Sequence, residues 1–386
     1  KKKNSGEHSY LLFTTYRKGV NNLNRKKQRF LFFPILLILL ALVPSNGFAS
    51  EFNFAVTPIP SEKQVDKEKT YFDLLLAPNE ETELKVNLRN DTDKEVKVGI
   101  SINSAITNSN VIVEYGENKG KKDQSLAFDI KDYVQYPSSV RLKPKSEQTV
   151  SINVKMPNTP FDGVLASGIT FKEETSDEGK RQDDKSQGLS IKNEYSYVVA
   201  LLMQQNKKKV EPNLLLKKVS PGQINARNVI LVNLQNDQKT YINQVAFSAE
   251  ITKKGHEEVL YKEEKANMQI APNTNFSVPI ALKGQPLKPG DYHLSMTVVG
   301  NKDAAGSFKK SINNESISFR NQWQFEKDFT INGEVAKELN EKDVTLKENH
   351  SNLYLMIGLL LLLIVILIIA WLIWRKKKQE KNEREI

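Results

Sequence analysis

From Leu353 to Trp374 the chain runs 22 residues without a charge. As a helix rising about 1.5 Å per residue, that run reaches roughly 33 Å, enough to cross a hydrocarbon core of roughly 30 Å. A helix that is apolar all round has no wet face to offer a soluble fold. Tyr354, Trp371 and Trp374 stand at its ends, where amphipathic rings favour the headgroup region. Arg375, Lys376, Lys377 and Lys378 follow at once, and positive flanks stay on the cytoplasmic side. The expectation is a single-pass membrane helix over 353–374, with a short basic tail, 375–386, in the cytoplasm and the preceding residues outside.

The other end carries a matching signal. Arg25, Lys26, Lys27 and Arg29 precede an apolar run from Phe30 to Val43, and Gly47-Phe48-Ala49 offers small residues for cleavage. This pattern predicts a secretory signal peptide over 1–49, with an uncleaved signal anchor as the alternative. No Leu-Pro-x-Thr-Gly sequence precedes the C-terminal helix, so the helix itself is the expected anchor. The formal charge of +10 belongs to these ends: residues 1–49 carry +8, residues 375–386 carry +3, and residues 50–374 carry −1. That balance gives no support to a nucleic-acid partner. With no cysteine and four histidines, the chain has no disulfide, no thiolate site and no ordinary metal centre, and no cofactor is expected. An exported chain without cysteine fits the habit of Gram-positive bacteria.

Between the ends, short alternating runs rich in β-branched residues recur: Leu84–Leu88, Val96–Ile102, Val150–Val154, Val229–Leu234 and Phe276–Leu282. Each is bounded by Asn, Asp, Gly or Pro, as strands require. Val86-Asn87-Leu88-Arg89-Asn90-Asp91 reappears as Val232-Asn233-Leu234-Gln235-Asn236-Asp237. Leu142-Lys143-Pro144 is likewise echoed by Ile270-Ala271-Pro272. A repeated order of strands and turns predicts an all-β ectodomain of two tandem immunoglobulin-like β-sandwiches. The expected boundaries are 50–206 and 207–332, followed by a polar stalk over 333–352. Residues 173–193 are expected to form a long hairpin loop between Gly163–Phe171 and Tyr195–Met203, with an interdomain linker as the alternative.

Chemistry is sparse. Gly255-His256-Glu257-Glu258-Val259-Leu260 has Leu260 where a zinc protease needs its second His. Ser307-Phe308-Lys309-Lys310 matches Ser-x-x-Lys but has no Lys-Thr-Gly partner. Asp91-Thr92-Asp93 lacks the remaining ligands of a calcium loop. No catalytic residue and no metal ligand is expected. A wall-active glycan enzyme and an extracytoplasmic chaperone for secreted proteins are the competing functional classes.

A family resemblance gives more detail. Phe52–Pro60 with Tyr71-Phe72-Asp73-Leu74 resembles the mature start of the WxL-interacting proteins of Gram-positive bacteria. Ala105-Ile106-Thr107-Asn108 followed by Tyr115, and Phe161-Asp162-Gly163 followed by Gly168-Ile169, resemble two further family segments. Trp323-Gln324-Phe325 with Asp328-Phe329-Thr330-Ile331 resembles the end of the family's second domain. Ser167 departs from the pattern, standing where the family has the first glycine of a pair. The glycine that the family often carries soon after Asn108 is also missing. The resemblance implies a peptidoglycan-binding first domain, a second domain that binds host surface ligands such as extracellular-matrix proteins, and complexes with WxL-domain surface proteins. It implies no catalytic residues. Thr107, Asn108, Tyr115, Asp162, Gly163 and Gly168 are the candidate ligand contacts.

Overall fold

The computed structural model describes residues 53–117, 122–174, 195–346 and 351–382, with the side chains of 351–355 and 375–382 outside the description. The chain is mostly β. The five runs singled out in the sequence all fall on strands, because alternation puts every second side chain on one face of the pleat.

One sheet orders β1 (Ala55–Ile59), β3 (Glu81–Asn90), β9 (Ser146–Lys155) and β7 (Val134–Gln135). A second orders β2 (Phe72–Leu75), β11 (Ser196–Gln204), β10 (Leu165–Glu173), β4 (Val96–Ser104) and β8 (Ser139–Leu142). Their inner faces share a core. Leu84, Val86 and Leu88 of β3 and Ile152 of β9 lie in it with Val98 and Ile102 of β4, Ile169 and Phe171 of β10 and Leu201 of β11. Burying each such side chain contributes about 1.5–3 kcal/mol. β10 and β11 pair antiparallel, Ile169 opposite Val199.

The second half uses β12 (Leu214–Ile224), β13 (Arg227–Asn236) and β16 (Thr274–Ala281) in one sheet. The other orders β15 (Val259–Ile270), β14 (Ile242–Lys253), β17 (Gly290–Lys302), β19 (Glu315–Ile331) and β18 (Phe308–Ile312). Ile230, Val232 and Leu234 share a separate core with Phe247, Ile251, Leu294, Met296 and Val298. Trp323 and Phe325, two apart on β19 and so on one face, pack against it half-buried. The pairings repeat those of the first half. β3 bonds β9 as β13 bonds β16; β4 bonds β8 and β10 as β14 bonds β15 and β17; β10 bonds β11 as β17 bonds β19.

The repeated Asn explains part of that likeness. Asn90 is fully buried; its amide donates to the carbonyls of Lys94 (2.7 Å), Leu142 (3.2 Å) and Lys143 (3.0 Å). Asn236, equally buried, donates to Thr240 (2.8 Å) and Ala271 (2.9 Å). In each half one amide ties the turn after its strand to the proline-containing turn of a neighbouring strand.

Residues 333–352, expected as a polar stalk, begin instead with helix α1 (Gly333–Lys342) docked on the second half. Ala336 is buried there, and Leu339 packs beside it. The Asn340 side chain donates to Leu287 O (2.9 Å) and accepts from Leu287 N (2.9 Å). Asp343 is buried and accepts from Asn228 N at 2.7 Å, while Val344 N donates to Ala226 O at 3.0 Å. Polar residues here serve as docking bonds, a use that composition does not distinguish from solvation.

Helix α2 (Ser351–Asn382) contains Met356–Trp374, long and apolar enough to cross a membrane. Trp371 and Trp374 lie on it and are exposed. The side chains of Tyr354, Arg375, Lys376, Lys377 and Lys378 lie outside the described residues, as does the expected signal peptide, 1–49.

Candidate functional site

Five of the six candidate contacts come together where the two halves meet. A small hairpin of β5 (Ile106–Thr107) and β6 (Val113–Glu114) leaves the first half just after β4. Asn108 shapes its tip: the side-chain oxygen accepts from Asn110 N (2.9 Å) and Ile112 N (3.1 Å), and the amide donates to Glu114 Oε1 (2.6 Å). Thr107 is 4% exposed and spans the junction. Its N–H donates to Thr274 Oγ1 (2.9 Å), and its Oγ1 accepts from Ala271 N (2.9 Å). The next contact is Val111, which sequence reasoning passed over. It is 1% exposed and belongs to the core of the second half. It holds φ at +61°, a conformation that a β-branched residue adopts only under strain. Its carbonyl accepts from Gln269 N at 3.1 Å.

Tyr115 continues the seam. Its hydroxyl lies 3.2 Å from the Tyr241 hydroxyl, and burial pushes both phenols above their ordinary value, Tyr241 the more strongly. A Cβ placed on Gly168 would overlap the Tyr115 side chain, so glycine is required for that ring to lie on β10. Ser167, the departure from the family pattern, is buried in the strand and donates to Leu201 O at 2.6 Å. Ala105, Ala166 and Ala271 form a small apolar cluster with these rings. Gln235 reaches Asp123 (2.9 Å), and Asn273 reaches Ser125 (3.0 Å).

Gly163 has φ +91°, and a Cβ there would run into the Lys239 carbonyl, which accepts from Val164 N at 2.8 Å. Asp162 lies beside this contact, not in the seam. Lys208 donates to it at 2.6 Å, and Asn206 at 3.1 Å; the lysine first, then the amide, hold its carboxyl below the usual range.

A cleft of about 430 Å³ lies apart from the seam, on the first half. Glu81, Glu83, Asp132, Tyr133, Gln135 and Lys155 line it. Lys155 Nζ pairs with Glu81 at 2.8 Å, and Ser151 and then Lys85 hold the Glu83 carboxyl low. The Tyr133 ring meets Phe128 edge-on, with centroids 6.0 Å apart. Carboxylates, amides and one braced aromatic ring can bind hydroxyl- and amine-bearing ligands.

Elsewhere, Lys310 of the Ser-x-x-Lys stretch donates to Ser248 Oγ (3.0 Å), not to the motif's own Ser307. His256 sits in a turn, its N–H donating to Lys253 O. Among the described residues no group of three or more His, Asp or Glu could hold a metal ion.

Two family descriptions match the chain in order. The peptidoglycan binding domain of WxL Interacting Protein matches residues 54–173, and the host binding domain of the same protein matches residues 186–341. No curated protein matches the chain. Similar solved structures include the CsuC-CsuE chaperone-tip adhesion subunit pre-assembly complex of Acinetobacter baumannii. That match has 12% identity, covers 60% of this chain and 90% of that one, and has a TM-score of 0.29. Another is the Salmonella enterica SafA pilin in complex with the SafB chaperone, at 9% identity, 71% and 96% coverage and TM-score 0.26. A third is the E. coli chaperone DraB, at 14% identity, 64% and 92% coverage and TM-score 0.25.

Proposed function

This chain belongs to the WxL-interacting protein family, and from that premise we propose a membrane-anchored surface protein that tethers WxL-type proteins to the cell wall. Matches to a peptidoglycan-binding and a host-binding domain make it a cell-wall and host-binding surface protein at the coarser level. The observation that carries the finer reading is their order: wall binder first, host binder second, apolar helix last.

In this reading the two sheet pairs are tandem immunoglobulin-like β-sandwiches over 50–206 and 207–332. The signal peptide directs them outside, and Met356–Trp374 spans the membrane. The first sandwich takes glycan strands in the Tyr133 cleft, where the ring stacks on a sugar face and Glu81, Glu83 and Asp132 accept from hydroxyl or stem-peptide amine groups. Thr107, Asn108, Tyr115, Gly163 and Gly168 act on that ligand indirectly, by fixing one sandwich against the other. The second sandwich carries the protein contacts, to WxL-domain partners and to host extracellular-matrix ligands. Its long strands offer edges for an added strand.

The test is co-sedimentation of the detergent-solubilised full chain with purified peptidoglycan. Retention that falls about tenfold in Tyr133→Ala, a hot-spot-sized loss, supports the cleft. Retention unchanged by that variant moves the glycan site elsewhere. No retention of the parent chain removes direct wall binding and leaves a membrane-held protein scaffold.

A further inference from the structure

The near-zero charge of residues 50–374 conceals a strongly uneven distribution. Where the chain passes from the first half to the second, an open cleft of about 360 Å³ gathers Lys207, Lys208, Lys209, Lys239 and Arg320, with Glu211 the one acidic residue lining it. These cations come from three separate places: the connection before β12, the turn between β13 and β14, and strand β19. Two of them are already paired, Lys208 with Asp162 and Arg320 with Asp303, each at 2.6 Å. Among the described residues Lys207, Lys209 and Lys239 form no ion pair. The backbone contact between Val164 and Lys239 ties the turn that bears Lys239 to the first half, so the cleft depends on the junction for its shape.

We propose that this cleft is a binding site for a linear polyanion bearing phosphate or sulfate esters. Each lysine of the 207–209 run is exposed, and so is Arg320. An exposed ion pair in water is worth little, so a small singly charged anion gains too little here to be held. A polymer that presents several charges at once gains from all of them and is drawn by the summed field. Asn301 and Asn321 also line the cleft, and amide donors of that kind suit ester oxygens. This site is separate from the Tyr133 cleft, and the proposal does not rest on glycan binding there.

The test measures binding of the detergent-solubilised full chain to immobilised poly(glycerol phosphate), heparin and neutral dextran. Binding to either polyanion, with none to dextran, is expected. A chain carrying Lys207→Gln, Lys209→Gln and Lys239→Gln should bind about tenfold more weakly at low salt. The difference should shrink as salt rises past about 0.15 M, where the screening length falls to about 8 Å. Lys94→Gln, Lys143→Gln and Lys253→Gln together remove the same charge elsewhere and should leave binding unchanged. Preference for the phosphate polymer or for heparin identifies which ester the site takes. Failure to bind either, or equal weakening by the two triple variants, overturns the proposal. Sedimentation of the cleft triple variant with peptidoglycan stripped of anionic polymers should match the parent, which keeps this result independent of the Tyr133 cleft.

Discussion

The two halves of this chain share the pairings of their central strands and differ at their edges, β2 lying parallel to β11 where β18 lies antiparallel to β19, and above all in one connection. In the second half β14 turns directly into β15 through residues 254–258. In the first half the equivalent passage, from β4 to β8, runs through residues 105–138 and takes in β5, β6, β7 and a turn of 3-10 helix. That excursion supplies Thr107, Val111, Tyr115, Asp123 and Ser125 to the junction, and Asp132, Tyr133 and Gln135 to the larger cleft. The shared strands build two cores; the unshared connection builds much of the junction and one wall of the Tyr133 cleft.

The likeness is open to its hardest test at the buried asparagines. Asn90→Ala should cost about 3 kcal/mol, because three carbonyls lose a buried donor, and Asn236→Ala about 2 kcal/mol. Denaturant unfolding of both variants checks this. A neutral Asn236→Ala would show that the repeated pairings do not share the asparagine's supporting role.

The difference can be attacked at the seam. Gly168→Ala forces a methyl against Tyr115 and should destabilise by about 2 kcal/mol. It should also split one unfolding transition into two, as each half loses the support of the other. Thr107→Val keeps the shape and removes one donor–acceptor exchange, at about 1 kcal/mol. If it left the halves unfolding together, the bond from Ala271 N to the Thr107 hydroxyl would be dispensable, and Val111 with its apolar neighbours would be the working contact.

The smallest effect distinguishes the halves by pH. Both described histidines, His256 and His293, lie in the second half. The imidazole of His293 sits between Asp328 (2.6 Å) and Glu326 (2.8 Å), which raise its pKa, Asp328 the more. A raised folded value means that the stabilisation is complete below the ordinary value of 6.5 and is lost as pH rises through the higher folded one. His293→Gln should therefore lower the melting temperature more at about pH 5.5 than at about pH 8.5, in the second half alone. Solvent reaches all three side chains, so the effect on stability is small. An equal deficit at both pH values would show a packing effect.

How much of this was legible in the sequence follows from what each feature depends on. Alternation and the Asn-Asp turns are local, so the strands and the repeat could be read directly. The membrane-length helix follows from a single uninterrupted run. Thr107, Tyr115 and Gly168 could be singled out by resemblance, but their role could not, because their partners Thr274 and Tyr241 lie far along the chain. Val111 opens a short apolar run, Val111-Ile112-Val113, but nothing local says that Val111 enters a core while Ile112 faces solvent. Helix α1 was missed because it is short and mostly polar, with Ala336 and Leu339 its inward residues. Lys207-Lys208-Lys209 is visible as a run, yet Lys239 and Arg320 join it only through the fold.

The docked helix has a mechanical consequence. Asp343 and Val344 clasp Asn228 and Ala226 at the start of β13, while the chain between that clasp and β19 is taken up by α1. A pull on the C-terminal end therefore reaches this clasp before it reaches the long strand β19. The clasp ties the segment after α1 to the start of the middle strand of the opposite sheet, so load spreads across the second half instead of peeling it from one edge.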